Sequence, residues 1–182
     1  MTRRALLLDR DGVVNVDHGY VHTPERTDFV DGIFELVIAA NRSRLDVVII
    51  TNQAGIARGY YSESEFEAYM AWMQARFAAQ GASIDAVYYC PHHPTHGVGR
   101  YRVACDCRKP EPGLILRAAF ERELDLAHSI FVGDKPSDMQ AARAAGVETR
   151  FLLSPAQPPL SDDPGATAVT SLSRVTDFVR AA

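Results

Sequence analysis

The chain has 182 residues, 47% hydrophobic and 23% charged, enough to bury a sizeable core in one domain and too balanced for a disordered or fibrous protein. With 23 Asp+Glu against 19 Lys+Arg its formal charge is −4, which argues against broad binding to nucleic acid but not against an anionic small molecule held by a few focused cations. Arg3-Arg4 and a four-residue apolar run are too short for a signal peptide or a membrane span, so the expected setting is cytoplasmic, with no membrane partner.

In chain order, the first expected strand is Ala5–Leu8, which runs into Asp9-Arg10-Asp11-Gly12. Residues i and i+2 of an extended chain share a face, so Asp9 and Asp11 are expected to look into one pocket. Two carboxylates that close repel unless a cation or a shared proton offsets them. The pair therefore suggests a divalent metal, a nucleophile and an acid or base, although a bare D-x-D-G is also an ordinary Asx turn. A helical pattern over Gly32–Asn41 leads to a strand, Val47–Ile50, ending in Thr51-Asn52-Gln53. Ser62 followed by Glu65 reads as a capping box opening a helix over Ser62–Gln80. A strand at Ile84–Tyr89 ends at Cys90; residues 91–110, rich in Pro, His and Gly, show no periodicity. Further elements are a helix over Gly113–Glu123, a strand at Ser129–Val132 ending in Gly133-Asp134, a helix over Ser137–Ala145 and a strand at Thr149–Leu153. The stretch 154–165 carries four prolines and reads as a surface loop before a last strand and helix. Alternating strands and helices imply an α/β fold with a mostly parallel sheet covered on both faces, its site in the crevice beyond the strands' carboxyl ends.

All three cysteines lie beside that irregular stretch. Cys90-Pro91-His92 and Cys105-Asp106-Cys107 are two close pairs separated by a twelve-residue loop, the makings of a closed Cys₃His zinc site that is structural because no position stays open. His93 and His96 are competing donors to His92. Arg108-Lys109-Pro110 follows at once and offers a bidentate clamp and a point charge for phosphoryl oxygens. Thr51 with nearby backbone N–H groups can hold an oxyanion, and Asp134 is a candidate third carboxylate for a magnesium site. Asp138 is open between ligand, supporting acceptor and helix-start charge.

Taken together, Asp9-Arg10-Asp11-Gly12-Val13-Val14-Asn15, Thr51-Asn52, Lys109 and Gly133-Asp134 resemble the haloacid dehalogenase superfamily of phosphotransferases. The likeness extends through Val16–His22, Thr51–Gly59, Tyr89–Pro94 and Cys105–Pro110, up to about Leu153, and is to the superfamily's small sugar-bisphosphate phosphatases. It implies a Rossmann-like sheet, one domain over 1–182 with no large cap domain, and a zinc-bound loop at 90–107. It further implies Asp9 as the nucleophile that forms an aspartyl-phosphate and Asp11 as acid and then base. Magnesium would sit on Asp9, Asp11 (through its backbone carbonyl) and Asp134, with Thr51 and Lys109 stabilising the phosphoryl group. Asp17, His18, Gly19, Tyr20, Thr51, Asn52, Gln53, Ala54, Arg108, Lys109 and Lys135 would contact substrate, and Cys90, His92, Cys105 and Cys107 would bind zinc. A small-molecule partner and a monomer are expected. The rivals are histidinol-phosphate phosphatase, which shares the opening motif and a similar zinc loop, and a zinc-stapled binding module without catalysis. The intact Asp9, Asp11, Lys109 and Asp134 argue against the latter.

Overall fold

The computed structural model describes residues 2–154, 163 and 165–181. Most of the Pro-rich loop expected at 154–165 lies outside them. Six parallel strands form one sheet: β1 (Ala5–Leu8), β2 (Asp46–Asn52), β3 (Ala86–Cys90), β4 (Ile130–Gly133), β5 (Thr149–Leu153) and β6 (Ala166–Val169), in the order β3-β2-β1-β4-β5-β6. The helices are α1 (Ile33–Arg42), α2 (Ala54–Ala57), α3 (Glu63–Ala79), α4 (Gly113–Arg122), α5 (Pro136–Ala144) and α6 (Leu172–Ala181).

Side-chain alternation along the strands divides the core in two. Leu6, Leu8, Val47 and Ile49 pack with α1, α3 and α6, while Ala5, Leu7, Val48, Ile50 and Phe131 pack with α4 and α5. The strands are consequently apolar on both faces, as a fully covered parallel sheet requires. No helix is long and apolar enough to cross a membrane among the described residues.

Strands wind outward from β1 to β2 and β3, then reverse through β4 to β5 and β6. The reversal lies between β1 and β4, so their carboxyl ends open the crevice in which such sheets bind ligands. Every expected strand and helix is present, with ends moved by a residue or two. β3 retains Cys90 because the Gln53 N–H donates to its carbonyl at 2.8 Å, extending the ladder. The expected capping box is formed: the Glu65 N–H donates to Ser62 Oγ, and the Ser62 N–H donates to Glu65 Oε2 at 2.7 Å. Helix α2 and the 3₁₀ turns at Pro24–Arg26 and Gly99–Tyr101 were not expected, being too short for any periodicity to show. No large cap domain interrupts the described chain.

Candidate active site at the carboxyl end of the sheet

Asp9 follows directly on β1, the central strand, and is 4% exposed. The chain leaves the strand there, and the carbonyl of Arg10 accepts N–H groups from Val13, Val14 and Asn15. Asp9 and Asp11 thus both reach the same cavity through a tight loop, where strand alternation was expected to align them. Gly12 sits in that loop at φ +94°, and a Cβ there would collide with the Asp134 carboxylate, so the position demands glycine on two counts.

A lysine holds the acidic groups together. Lys109 Nζ lies 2.8 Å from Asp9 Oδ1 and 2.7 Å from Asp138 Oδ1, and donates to the Ile50 carbonyl at 2.9 Å. Its backbone is fixed by Asn52: the Lys109 N–H donates to Asn52 Oδ1, and Asn52 Nδ2 donates to the Lys109 carbonyl, both at 3.0 Å. Asp138, 1% exposed, uses its second oxygen to accept the N–H groups of Asp134 and Lys135 at 3.1 Å each. Both its oxygens are engaged, which makes it the supporting acceptor among the options open from sequence.

Asp9, Asp134 and Asp138 bring one carboxylate oxygen each within 4.8 Å of one another. Burial, then the Asp138 charge, pushes the Asp9 carboxyl up to about 8, with Lys109 pulling the other way. Asp134 is pushed up to about 6, mainly by burial, and its Oδ1 is buried with no hydrogen-bond partner. Buried Asp9 and Asp138 with half-buried Asp134, facing the buried Lys109 and the more exposed Lys135 at 4.0 Å from Asp134, leave a negative excess that a divalent cation would offset. The donor set, all hard oxygens, suits magnesium.

Asp11 has different surroundings. Its Oδ1 accepts from Arg10 Nη2 at 2.5 Å and Asn15 Nδ2 at 3.1 Å, and its Oδ2 accepts from Gln53 Nε2 at 3.3 Å. Gln53 is oriented in turn by the Tyr61 hydroxyl, which donates to its Oε1 at 2.6 Å.

The cavity beyond these groups measures about 650 Å³ and is lined by Asp9, Asp11, Asp17, Gly19, Tyr20, Asn52, Gln53, Ala54, Arg108, Lys109 and Lys135, with Tyr61, Pro110, Ser137 and Asp138. Asp134 lines an adjoining cavity with Gly12 and Asp17. Lys135 Nζ reaches Asp17 at 3.2 Å across the mouth. His18, between Asp17 and Gly19, is not among the lining residues, and its Nε2 is 2.8 Å from Asp28 Oδ2. Thr51 stands near the end of β2, two residues before Gln53. It is 1% exposed beneath the cavity floor, with its hydroxyl accepting from Gln53 Nε2 at 2.8 Å.

Cys90, His92, Cys105 and Cys107 bring their ligand atoms within 4.8 Å of one another, and the Arg108 side chain, which lines the cavity, donates to the His92 carbonyl at 3.2 Å. The sulfur atoms are 3.1–3.5 Å apart, and His92 Nδ1 is 3.5 Å from Cys107 and 3.8 Å from Cys90. A tetrahedron with zinc–sulfur bonds near 2.3 Å has edges of about 3.8 Å, so the four atoms fit one ion after a small expansion. His93 is turned elsewhere, its Nδ1 accepting the N–H groups of Thr95 and His96. Burial pushes the Cys90 and Cys107 thiols up, and a metal would take the place of their protons.

Sequence reasoning gave no role to Arg10, Asn15 or Tyr61. Asn15 stood in the opening motif, four residues from Asp11, and that spacing was the available signal. Arg10 stands between two acids, and no local pattern marks it.

A parallel sheet whose switch point presents an aspartate to a buried lysine, with two more aspartates behind it, is the core of a haloacid dehalogenase-type phosphohydrolase. A family model described as HAD-hydrolase-like matches residues 106–164. The chain is 46% identical over 177 residues to the D-glycero-beta-D-manno-heptose-1,7-bisphosphate 7-phosphatase of Vibrio cholerae, covering 97% of this chain and 95% of that one. It is 54% identical over 153 residues to the D-glycero-alpha-D-manno-heptose-1,7-bisphosphate 7-phosphatase of Burkholderia mallei, covering 84% and 81%. The crystal structure of D,D-heptose 1,7-bisphosphate phosphatase from B. bronchiseptica, complexed with magnesium and phosphate, superposes with a TM-score of 0.83 at 32% identity over 97% of both chains. The chain belongs to the D-glycero-D-manno-heptose 1,7-bisphosphate 7-phosphatase family of that superfamily.

Proposed function

We propose that this chain is a magnesium-dependent phosphatase that removes the 7-phosphate of D-glycero-D-manno-heptose 1,7-bisphosphate, supplying nucleotide-activated heptose for lipopolysaccharide core precursors. The observation that carries the chemistry is Lys109 Nζ held between Asp9 and Asp138 in the buried wall of a cavity of about 650 Å³, with an unpartnered Asp134 oxygen beside it. That volume suits a sugar carrying two phosphates.

Asp9, Asp134 and the Asp11 backbone carbonyl would hold magnesium, which when bound neutralises charge on the phosphoryl oxygens. Asp9 attacks phosphorus as the bond to the sugar oxygen breaks, and Asp11 gives that oxygen its proton. A water then attacks the aspartyl-phosphate and gives its proton to Asp11, releasing inorganic phosphate and free Asp9. Lys109 meets the charge on the transferring group, while Thr51 supports it from below through Gln53. Tyr20, Gln53, Ala54, Arg108 and Lys135 surround the sugar, and the two cations suit its second phosphate. Cys90, His92, Cys105 and Cys107 hold a structural zinc that fixes the loop delivering Arg108 and Lys109. The chain acts as a single domain, its pocket shaped by short loops where relatives in the superfamily use a cap.

The test is kcat/KM for both anomers of heptose 1,7-bisphosphate against histidinol phosphate. A clear preference for a heptose bisphosphate is expected, and a preference for histidinol phosphate would overturn the substrate.

A further inference from the structure

Arg10 separates the two working carboxylates, and its surroundings are not those of a spacer. Its side chain is fully buried. The guanidinium lies against two aromatic rings of α3, with Cζ 5.6 Å from the centroid of Phe66 and 5.4 Å from that of Tyr69. Nη2 donates to Asp11 Oδ1 at 2.5 Å and to the Val21 carbonyl at 2.7 Å. Nε and Nη1 are buried without a hydrogen-bond partner.

Stability alone does not account for this residue. Burying a guanidinium with unpaired donors is costly, and an apolar side chain of similar volume would pack against Phe66 and Tyr69 without that cost. What the arginine does achieve is local. Of the three donors to the Asp11 carboxylate among the described residues, it is the charged one and makes the shortest contact. The rings hold the planar guanidinium in place, a stacking that the flexible ammonium of lysine does not reproduce. The main chain of the same residue sets the other carboxylate, because the Arg10 N–H donates to Asp9 Oδ1 at 2.8 Å.

We propose that Arg10 is a positioning residue for catalysis: clamped by Phe66 and Tyr69, it fixes the Asp11 carboxylate where the leaving oxygen must receive a proton and the attacking water must lose one. The inference rests on the acid–base role proposed for Asp11. It ties the catalytic proton to the packing of α3, an element that carries none of the reacting groups.

The test compares Arg10→Met, Arg10→Lys and Asp11→Asn with the parent enzyme, loaded with zinc and magnesium. For the heptose bisphosphate, Arg10→Met is expected to lower kcat by ~10–100-fold with KM within about twofold, and Arg10→Lys to recover part of the loss. p-Nitrophenyl phosphate supplies the deciding readout, because its leaving group needs no proton. Arg10→Met should release the first nitrophenolate per site at nearly the parent rate and then slow, leaving a burst, since only the hydrolytic step still needs Asp11. A folded Arg10→Met enzyme with parental kcat, beside an inactive Asp11→Asn, would overturn the inference alone. Equal losses in both steps with no burst would overturn it too. Parental activity in Asp11→Asn would instead remove the acid–base reading beneath it. Should Arg10→Met fail to fold, Tyr69→Leu releases one face of the clamp and is expected to show the same burst more weakly; parental kinetics in that variant would count against the proposal.

Discussion

Replacing Lys109 by Met probes the charge balance on which the site depends. Met matches the apolar stem of lysine, so the loss is chiefly that of an ammonium 2.8 Å from Asp9, 2.7 Å from Asp138 and 2.9 Å from the Ile50 carbonyl. Asp9, Asp138 and Lys109 are all nearly inaccessible to water. Removing one partner of a buried ion pair costs about 3–5 kcal/mol, because the remaining charge is left desolvated and unpaired. Here two carboxylates lose their partner at once. Asp9 can relieve part of that by binding a proton, so the lower end, about 3 kcal/mol, is the expected loss at neutral pH. Urea denaturation of the zinc-loaded, magnesium-free protein measures it. Adding Asp138→Asn removes one of the stranded charges and should return about 1–2 kcal/mol. On the magnesium-loaded enzyme the same Lys109→Met change should lower kcat by about 10²–10³, the usual cost of losing a group aimed at transition-state charge. The reasoning fails if Lys109→Met lies within about 1 kcal/mol of the parent and the two substitutions simply add.

Asp9→Asn is expected to abolish magnesium-dependent phosphate release while leaving the melting temperature equal or higher, since it removes one charge from a crowded acidic cluster; residual turnover near the parent level would remove Asp9 as nucleophile. Metal analysis of unchelated protein should find about one zinc per chain, and Cys107→Ser should lose that zinc together with activity, because Arg108 and Lys109 follow directly on the staple. Stability without magnesium should fall as pH rises from about 4 to about 8. The Asp9 and Asp134 carboxyls are raised to about 8 and about 6, so across that window the folded chain binds more protons than the unfolded one. Saturating magnesium should flatten that decline, and thermal melts across the pH range with and without the ion decide it.

The sheet was legible because the strands are short, mostly apolar runs bounded by turn residues, and the long crossover helices show a 3.6-residue period. Strand ends were less so. Cys90 belongs to β3 because of a hydrogen bond from Gln53, a residue 37 positions earlier that no local pattern connects to it. The strand order, and with it the switch point between β1 and β4, follows from the handedness of crossovers only once the strands are known to share one sheet.

The site was legible where function depends on residue type and fixed spacing, and not where it depends on direction. Asp9, Lys109 and Asp134 stood at element ends, and one cavity system gathers them. His18 stands one residue from Asp17 and Gly19, which line that cavity, yet its ring pairs with Asp28; adjacency in a loop says nothing about which way a side chain points. Arg10 shows the same dependence on direction. Nothing in the local sequence between the two acids marks it, whereas the fold buries it completely against Phe66 and Tyr69, more than fifty residues later in the chain. The consequence is chemical. Asp9 and Asp11 are alike in sequence, but Asp9 sits among buried carboxylates with one lysine, and Asp11 sits among a guanidinium and two amides. A carboxylate crowded by like charges is suited to share a cation and face phosphorus, and one held on both oxygens by donors keeps a fixed position beside the reacting groups. What separates the two roles is therefore the tertiary packing around each acid, and a substitution in α3 that never touches substrate should distinguish them.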